Sequence, residues 1–242
     1  MEKAAAMIAY KFLSSGAIGL FSRHAWPTPT ADAPGEWVGV DGEIQQCLNG
    51  VHACAKERLV EWLDDELWEI ELGDPVLEAD EELIAPAGRL IRRLERWNDA
   101  CARAFVGHCV DDTVALAAKV LVRAGREDEA EALTASRSRP DAELKMLQLA
   151  RSLEDEQTSP IRFLADVARL ERGGRPELDE EAPSADAGGP TPAALAANLG
   201  YVCAHIGAQL AEQESAGAYD QSFARERLRQ STWLAEKLQL GR

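Results

Sequence analysis

The most specific chemical feature of this 242-residue chain is the segment Cys47-Leu48-Asn49-Gly50-Val51-His52-Ala53-Cys54. Its Asn-Gly pair is a turn signal, and the residues after the turn are typical of an extended strand. Because side chains two residues apart in a strand share a face, we expect His52 and Cys54 to point the same way. Cys47 lies on the other side of the turn and would fold back towards them.

Two kinds of chemistry suit these three side chains. Thiolate and imidazole are preferred ligands of Zn²⁺ and Fe²⁺, so Cys47, His52 and Cys54 are candidate metal ligands. Alternatively, His52 and Cys54 serve an enzyme as base and nucleophile. A structural interpretation is also open, in which both thiols pack as small apolar groups and the histidine bonds to a neighbour. No second Cys-x-x-Cys pair follows to strengthen the metal hypothesis.

A second set of polar side chains is predicted on a helix near the C-terminal end. Asn198, Tyr201 and His205 are spaced by three and four residues, which places them on one helix face. They would line a ligand site, with Tyr201 and His205 as candidate acid and base, or form a buried network between helices. Elsewhere, His108 is expected to be solvated or paired with a nearby aspartate, and Cys109 to lie in the core.

The elements that position these residues fall into two groups. Turn and strand signals over residues 1–97 predict an α+β domain, a small mixed β-sheet with one helix at Lys56 to Leu63. Leu67 to Leu72 alternates apolar and acidic residues and is the clearest strand. Residues 88–97 fit both a strand and a helix, and we favour a strand up to about Leu94.

From Asn98 onwards, apolar residues recur at helical intervals, which predicts a helical bundle over 98–242. A stretch rich in Gly, Pro, Glu and Asp at about 173–190 is typical of a flexible acidic linker. We therefore expect an α+β domain over 1–97, followed by a helical domain.

The charge balance argues against several classes of partner. The chain has 42 acidic and 26 basic residues, a formal charge of −16 and a pI near 4.7. Because such a surface repels phosphate, we expect neither nucleic-acid binding nor docking on anionic membranes. Locally, the acidic run Glu61 to Glu82 precedes four arginines between Arg89 and Arg96. This pattern favours an acidic strand paired with a basic one over an anion-binding arginine cluster.

Other features concern compartment and reaction class. Glu2 and Lys11 interrupt what would otherwise resemble a signal peptide, and no apolar run approaches the roughly 18 residues of a membrane span. Five cysteines, an odd number, favour reduced thiols and a cytoplasmic protein. The phosphate-binding loop, the dinucleotide-binding glycine motif and the Gly-x-Ser-x-Gly elbow are missing, which disfavours nucleotide hydrolysis, dinucleotide redox chemistry and serine hydrolysis.

The stretch from Tyr10 to Trp97 resembles an uncharacterised domain family of bacterial and phage proteins. The resemblance rests on a cysteine, a glycine turn, a hydrophobic-His-x-Cys strand, a helix, an acidic strand and a basic strand. These correspond to Cys47, Gly50, Val51-His52-Ala53-Cys54, Lys56 to Leu63, Leu67 to Leu72 and Leu90 to Arg93. The resemblance implies a compact mixed domain and brings no settled activity.

Three functions are compatible with these observations. The favoured one is a cytoplasmic accessory protein that binds a small molecule, a metal such as Zn or Fe, or a protein partner. Its site would lie between the strand of His52 and Cys54 and the helical bundle. The second is a small-molecule-modifying enzyme that uses the same two residues, helped by His108 or by the helix face of Asn198, Tyr201 and His205. The third is an interaction module whose acidic surface binds a basic partner.

Overall fold

The computed structural model describes residues 7–79, 81–152, 161, 164–165 and 190–241. The predicted linker at 173–190 lies outside these residues, apart from Pro190. The described residues form two compact units. The first comprises those within Met1–Ala102, Pro192–Ala197 and Arg227–Arg242, and the second those within Arg103–Thr191 and Asn198–Glu226. The first unit therefore contains segments from both predicted domains.

The first unit contains two small β-sheets and a 3-10 helix at Lys56–Glu61. The described strands are β1 (Met7–Leu13), β2 (Val38–Gly39), β3 (Val51–Ala53), β4 (Glu66–Leu72), β5 (Leu77–Glu78), β6 (Leu83–Ala85) and β7 (Ala87–Arg93). One sheet has the order β1-β4-β7-β2, and the other has the order β3-β6-β5.

All the strand pairs in the two sheets are antiparallel. The predicted α+β class is confirmed, but two antiparallel sheets stand where we expected one mixed sheet. Parallel neighbours need a long crossover, usually a helix. Among the described residues between these strands, only the six-residue 3-10 helix is helical, which accounts for the antiparallel pairing.

The predicted pairing of an acidic strand with an arginine strand is confirmed. In the register of β4 with β7, Glu69 lies opposite Arg92 and Glu71 opposite Arg89. Arg92 Nε donates to Glu69 Oε2 at 2.6 Å, and Arg89 Nε donates to Glu71 Oε2 at 2.7 Å. Cross-strand pairs of this kind each stabilise a sheet by a few tenths of a kcal/mol, up to about 1 kcal/mol. The ambiguous stretch after residue 87 is thus a strand as far as Arg93.

The core of the first unit joins both sheets. Its apolar members are Ala9, Leu13, Ala17, Trp26, Val51, Ala53, Trp68, Ile70, Leu72, Leu83, Ala85 and Leu90. The sheets approach closely at Gly88, where an added Cβ would lie 2.8 Å from Val51 Cγ1. A Cβ added at Gly50 would lie 2.4 Å from Ile84 Cγ2. Only glycine fits at either position without movement of a neighbour.

A buried ion pair attaches the end of the chain to the 3-10 helix. Arg227 Nη2 donates to the backbone oxygen of Val60 at 2.6 Å and to Glu61 Oε2 at 2.9 Å. Ser231 Oγ accepts the Val60 N–H at 3.3 Å. The Arg227 side chain is almost wholly buried. The C-terminal residues are therefore part of the first unit.

The remaining described elements are α-helices. They are α1 (Asp99–Arg123), α2 (Glu127–Thr134), α3 (Arg139–Ser152), α4 (Pro192–Glu214) and α5 (Tyr219–Leu238). Asn98 caps α1 as expected, since its Oδ1 accepts the N–H groups of Ala100 and Cys101. The predicted helical C-terminal part is confirmed. Among the described residues, no helix is long and apolar enough to cross a membrane.

Candidate functional site

His52 lies on β3 and is held by a carboxylate from a distant part of the chain. Val51 and Ala53 belong to the core, so His52 between them projects from the opposite face of the strand. Its Nδ1 lies 2.7 Å from Glu82 Oε2, and the two side chains are 27% and 3% exposed, respectively. An ionised carboxylate only accepts hydrogen bonds, so Nδ1 carries the proton. On a neutral ring, Nε2 is then left as a hydrogen-bond acceptor.

Cys47 contacts the same carboxylate. Its Sγ lies 3.9 Å from Glu82 Oε1, and the residue is exposed. A Cβ added to Gly50 would lie 3.8 Å from His52 Nε2, so that nitrogen lies beside the turn that carries Cys47. Cys47, His52 and Glu82 together are called the His52 site below. Sequence reasoning missed Glu82, because nothing distinguishes it within the acidic run.

Lys11 supports the backbone at this site from β1. Its Nζ donates to the backbone oxygen of His52 at 2.5 Å, and it lies 5.1 Å from the ring centroid of Trp26. Burial lowers the pKa of Lys11 to about 8, although Cys54 and Glu82 oppose the shift. Sequence reasoning used Lys11 only as a break in an apolar run, so its place beside the site was missed.

Cys54 differs from Cys47 in its surroundings. It is buried, and its N–H and C=O pair with those of Tyr10 at 2.8 and 2.9 Å. Burial raises the pKa of Cys54 to about 12, against an opposing effect of Lys11. The thiol is therefore protonated at neutral pH, as the structural interpretation of this residue requires. This environment does not favour the predicted role as nucleophile.

The structure does not support the metal hypothesis. In the described part of the chain, no three His, Cys, Asp or Glu side chains are grouped so that they could hold a metal ion. The three predicted ligands, Cys47, His52 and Cys54, are therefore not grouped in this way. Glu82 occupies the position beside His52 Nδ1, and Cys54 is enclosed by the surrounding backbone and apolar groups.

Tyr201 and His205 contact two aromatic residues of α5. His205 Nδ1 lies 2.6 Å from Tyr219 Oη. The rings of Tyr201 and His205 are nearly parallel at 6.1 Å, as are those of Tyr219 and Phe223 at 6.0 Å. Edge-to-face contacts at 5.5 and 5.7 Å join the two pairs. These four residues are called the aromatic cluster below.

His108 and Cys109, two other residues singled out on the helices, both contact neighbouring protein groups. His108 Nε2 lies 3.9 Å from Asp112 Oδ2, which confirms the expected pairing with a nearby aspartate. Cys109 is fully buried, as predicted, and its backbone oxygen lies 3.5 Å from Cys203 Sγ.

The first unit also has a groove that sequence reasoning did not anticipate. It measures about 440 Å³ and lies between the start of the 3-10 helix, at Lys56 and Glu57, and the end of α5, at Thr232 and Glu236. This volume is within the range of small-molecule sites. None of the predicted site residues lines it.

Comparison with known proteins leaves the site as the main evidence for function. The resemblance to the bacterial and phage domain family stays a hypothesis. No family profile, no curated protein and no solved structure matches the chain.

Proposed function

We propose that this protein binds a small molecule at the His52 site, with His52 Nε2 as the principal polar contact. The observation that carries the proposal is the 2.7 Å contact between the buried Glu82 carboxylate and the partly exposed His52 ring. Such a carboxylate fixes both the tautomer and the direction of an imidazole. The remaining nitrogen is then oriented before the ligand arrives, which lowers the entropic cost of binding.

The surroundings suggest the chemical class of the ligand. On a neutral ring, Nε2 accepts a hydrogen bond, so a hydroxyl, amide or ammonium donor suits it. The neighbouring Leu48 is an exposed apolar side chain. A small molecule with one hydrogen-bond donor and an apolar body would complement both features.

Binding is a better interpretation than covalent catalysis by Cys54, because that thiol is buried and protonated. The proposal uses only side chains of the first unit and needs no metal. The odd number of cysteines supports a reducing compartment, and we retain the cytoplasm as the proposed location.

A screen by NMR would test the proposal. The chain has four histidines, so ¹³C- and ¹⁵N-labelled histidine gives a simple spectrum, and His52→Gln assigns the signal of interest. The probes are fragments with a hydroxyl, amide or amine group on an apolar body. We expect some of them to shift the His52 ring signals and not those of the other histidines.

Variants make the screen decisive. Glu82→Gln should lower the affinity for those fragments by about tenfold, since hydrogen bonds to charged groups contribute about 1.5–3 kcal/mol. Cys54→Ala, directly after β3, is the control and should leave binding unchanged. The proposal is wrong if no fragment shifts His52, or if His52→Gln and Glu82→Gln bind the fragments as tightly as the wild type.

The same contact favours one second candidate, an enzyme in which His52 is a general base. A carboxylate that orients an imidazole is a recurrent catalytic arrangement. Incubation of the bound fragments with the wild type distinguishes the two functions. Turnover that His52→Gln abolishes would establish catalysis, and recovery of unchanged fragments would favour binding alone.

A further inference from the structure

The aromatic cluster holds one exposed ring in a fixed position. Tyr201 is 52% exposed, whereas the other three residues are half-buried. Its ring lies nearly parallel to His205 and edge-on to Phe223 at 5.5 Å. His205 is in turn hydrogen-bonded to Tyr219 at 2.6 Å. A ligand that packs on Tyr201 therefore meets a side chain that is already ordered.

The chain around the cluster is acidic. Between Asn198 and Glu226 it carries one basic residue, Arg225, and four acidic residues: Glu212, Glu214, Asp220 and Glu226. Hydrogen bonds from the N–H groups of Gly217 and Tyr219 lower the pKa of Glu212, so this carboxylate is ionised at neutral pH. Of these carboxylates, Glu214 pairs with Arg123.

The single basic residue within this stretch has a hydrogen-bond partner on the same helix. Arg225 Nη2 lies 3.5 Å from Ser222 Oγ one turn earlier on α5. Together with the formal charge of −16 for the whole chain, this balance makes the surroundings of the cluster attractive to cations. An aromatic ring adds a second attraction, because its face carries partial negative charge.

We propose that the aromatic cluster is a docking surface for an arginine side chain of a basic protein partner. A guanidinium group is planar and weakly hydrated, so it stacks on an aromatic ring better than an ammonium group does. Charge alone would attract lysine and arginine equally, and the exposed Tyr201 ring supplies the preference for arginine. The proposal does not depend on the His52 site.

Two labelled peptides test this preference. Each has eight residues, with four basic residues alternating with glycine, and they differ only in arginine against lysine. Binding is measured by fluorescence anisotropy at low and physiological salt. We expect the arginine peptide to bind about two- to fivefold more tightly, the ratio for about 0.5–1 kcal/mol at an exposed cation–π contact.

Substitutions assign the effect to the cluster. Tyr201→Ala should reduce the affinity for the arginine peptide to that for the lysine peptide. Tyr201→Phe should keep the difference between the two affinities. Phe21→Ala is the matched control, since Phe21 is an aromatic residue of the first unit that is 82% exposed. Circular dichroism confirms that each variant is folded. Equal affinity of the two peptides for the wild type, or an unchanged preference in Tyr201→Ala, would overturn the proposal.

Discussion

Glu82 Oε2 lies 2.7 Å from His52 Nδ1 although 30 residues separate them in the chain. The antiparallel pairing of β3 with β6 places Ala53 opposite Leu83, and this register brings the preceding glutamate to the histidine. Because Glu82 is almost wholly buried, the hydrogen bond is shielded from water. The Glu82 carboxylate thus orients the His52 imidazole, the most exposed polar group of β3, and fixes the direction in which the proposed site presents Nε2.

Replacing Glu82 should lower the stability of the protein. Glu82→Ala removes the partner of His52 Nδ1, and we expect the free energy of unfolding to fall by about 1–3 kcal/mol. Urea denaturation followed by circular dichroism measures the loss. Glu78→Ala, at an exposed position of β5, is the control and should change stability by less than about 0.5 kcal/mol. Equal effects of the two substitutions would contradict a structural role for the Glu82–His52 pair.

The buried Arg227 should matter more than any exposed arginine of α5. Arg227→Ala leaves Glu61 buried without its partner, and we expect a loss of about 3–5 kcal/mol in the free energy of unfolding. Arg225→Ala, at an exposed position, should cost less than about 0.5 kcal/mol. A double-mutant cycle with Glu61→Ala measures the coupling, and additive effects would show that the contact contributes nothing of its own.

Lys11 makes stability depend on pH in a defined direction. Its pKa is about 8 in the folded protein, below the ordinary value of 10.5, so the unfolded chain binds more protons between these values. Stability contributed by this group therefore rises with pH from about 8 to 10.5. Burial has the opposite effect on Cys54, whose raised pKa of about 12 reduces stability above pH 9.

Comparison with Lys11→Met isolates the lysine up to pH 10, because the Cys54 thiol, whose pKa is about 12 and would rise further without Lys11, stays protonated in both folded proteins over that range. We expect the stability of the wild type relative to the variant to increase by on the order of 2 kcal/mol between pH 7 and 10. Urea titrations at several pH values measure the difference. Parallel curves for the two proteins would contradict the lowered pKa of Lys11.

Cys47 and Cys54 should differ in their reactivity towards an alkylating reagent. With iodoacetamide at pH 8, we expect Cys47 to be alkylated in the folded protein, because it is exposed. Cys54 should be protected, since it is buried and its pKa is about 12. Peptide mass spectrometry locates the modification, and a denatured sample should react at all five cysteines. Alkylation of Cys54 as fast as Cys47 would contradict its burial.

The α+β class, the helices after Asn98 and several strands could be predicted from the order of the residues alone. Alternating or helical spacing of apolar residues is a local property, so β4 and the start of α1 could be predicted from neighbouring residues. The pairing of the acidic strand with the arginine strand was also predictable, because opposite charges were concentrated in two adjacent segments.

The contacts between distant side chains could not be predicted in this way, because they depend on the packing of the folded chain. Glu82 reaches His52 through the register of two short strands, and Arg227 reaches Glu61 across 166 residues of sequence. Tyr219 meets His205 because α4 and α5 bring these positions together. No periodicity within a segment specifies such contacts, since they depend on how elements remote in sequence pack around a shared core. The charges of the chain were visible from its composition, and the packing decided which of them were buried, paired or left at the surface.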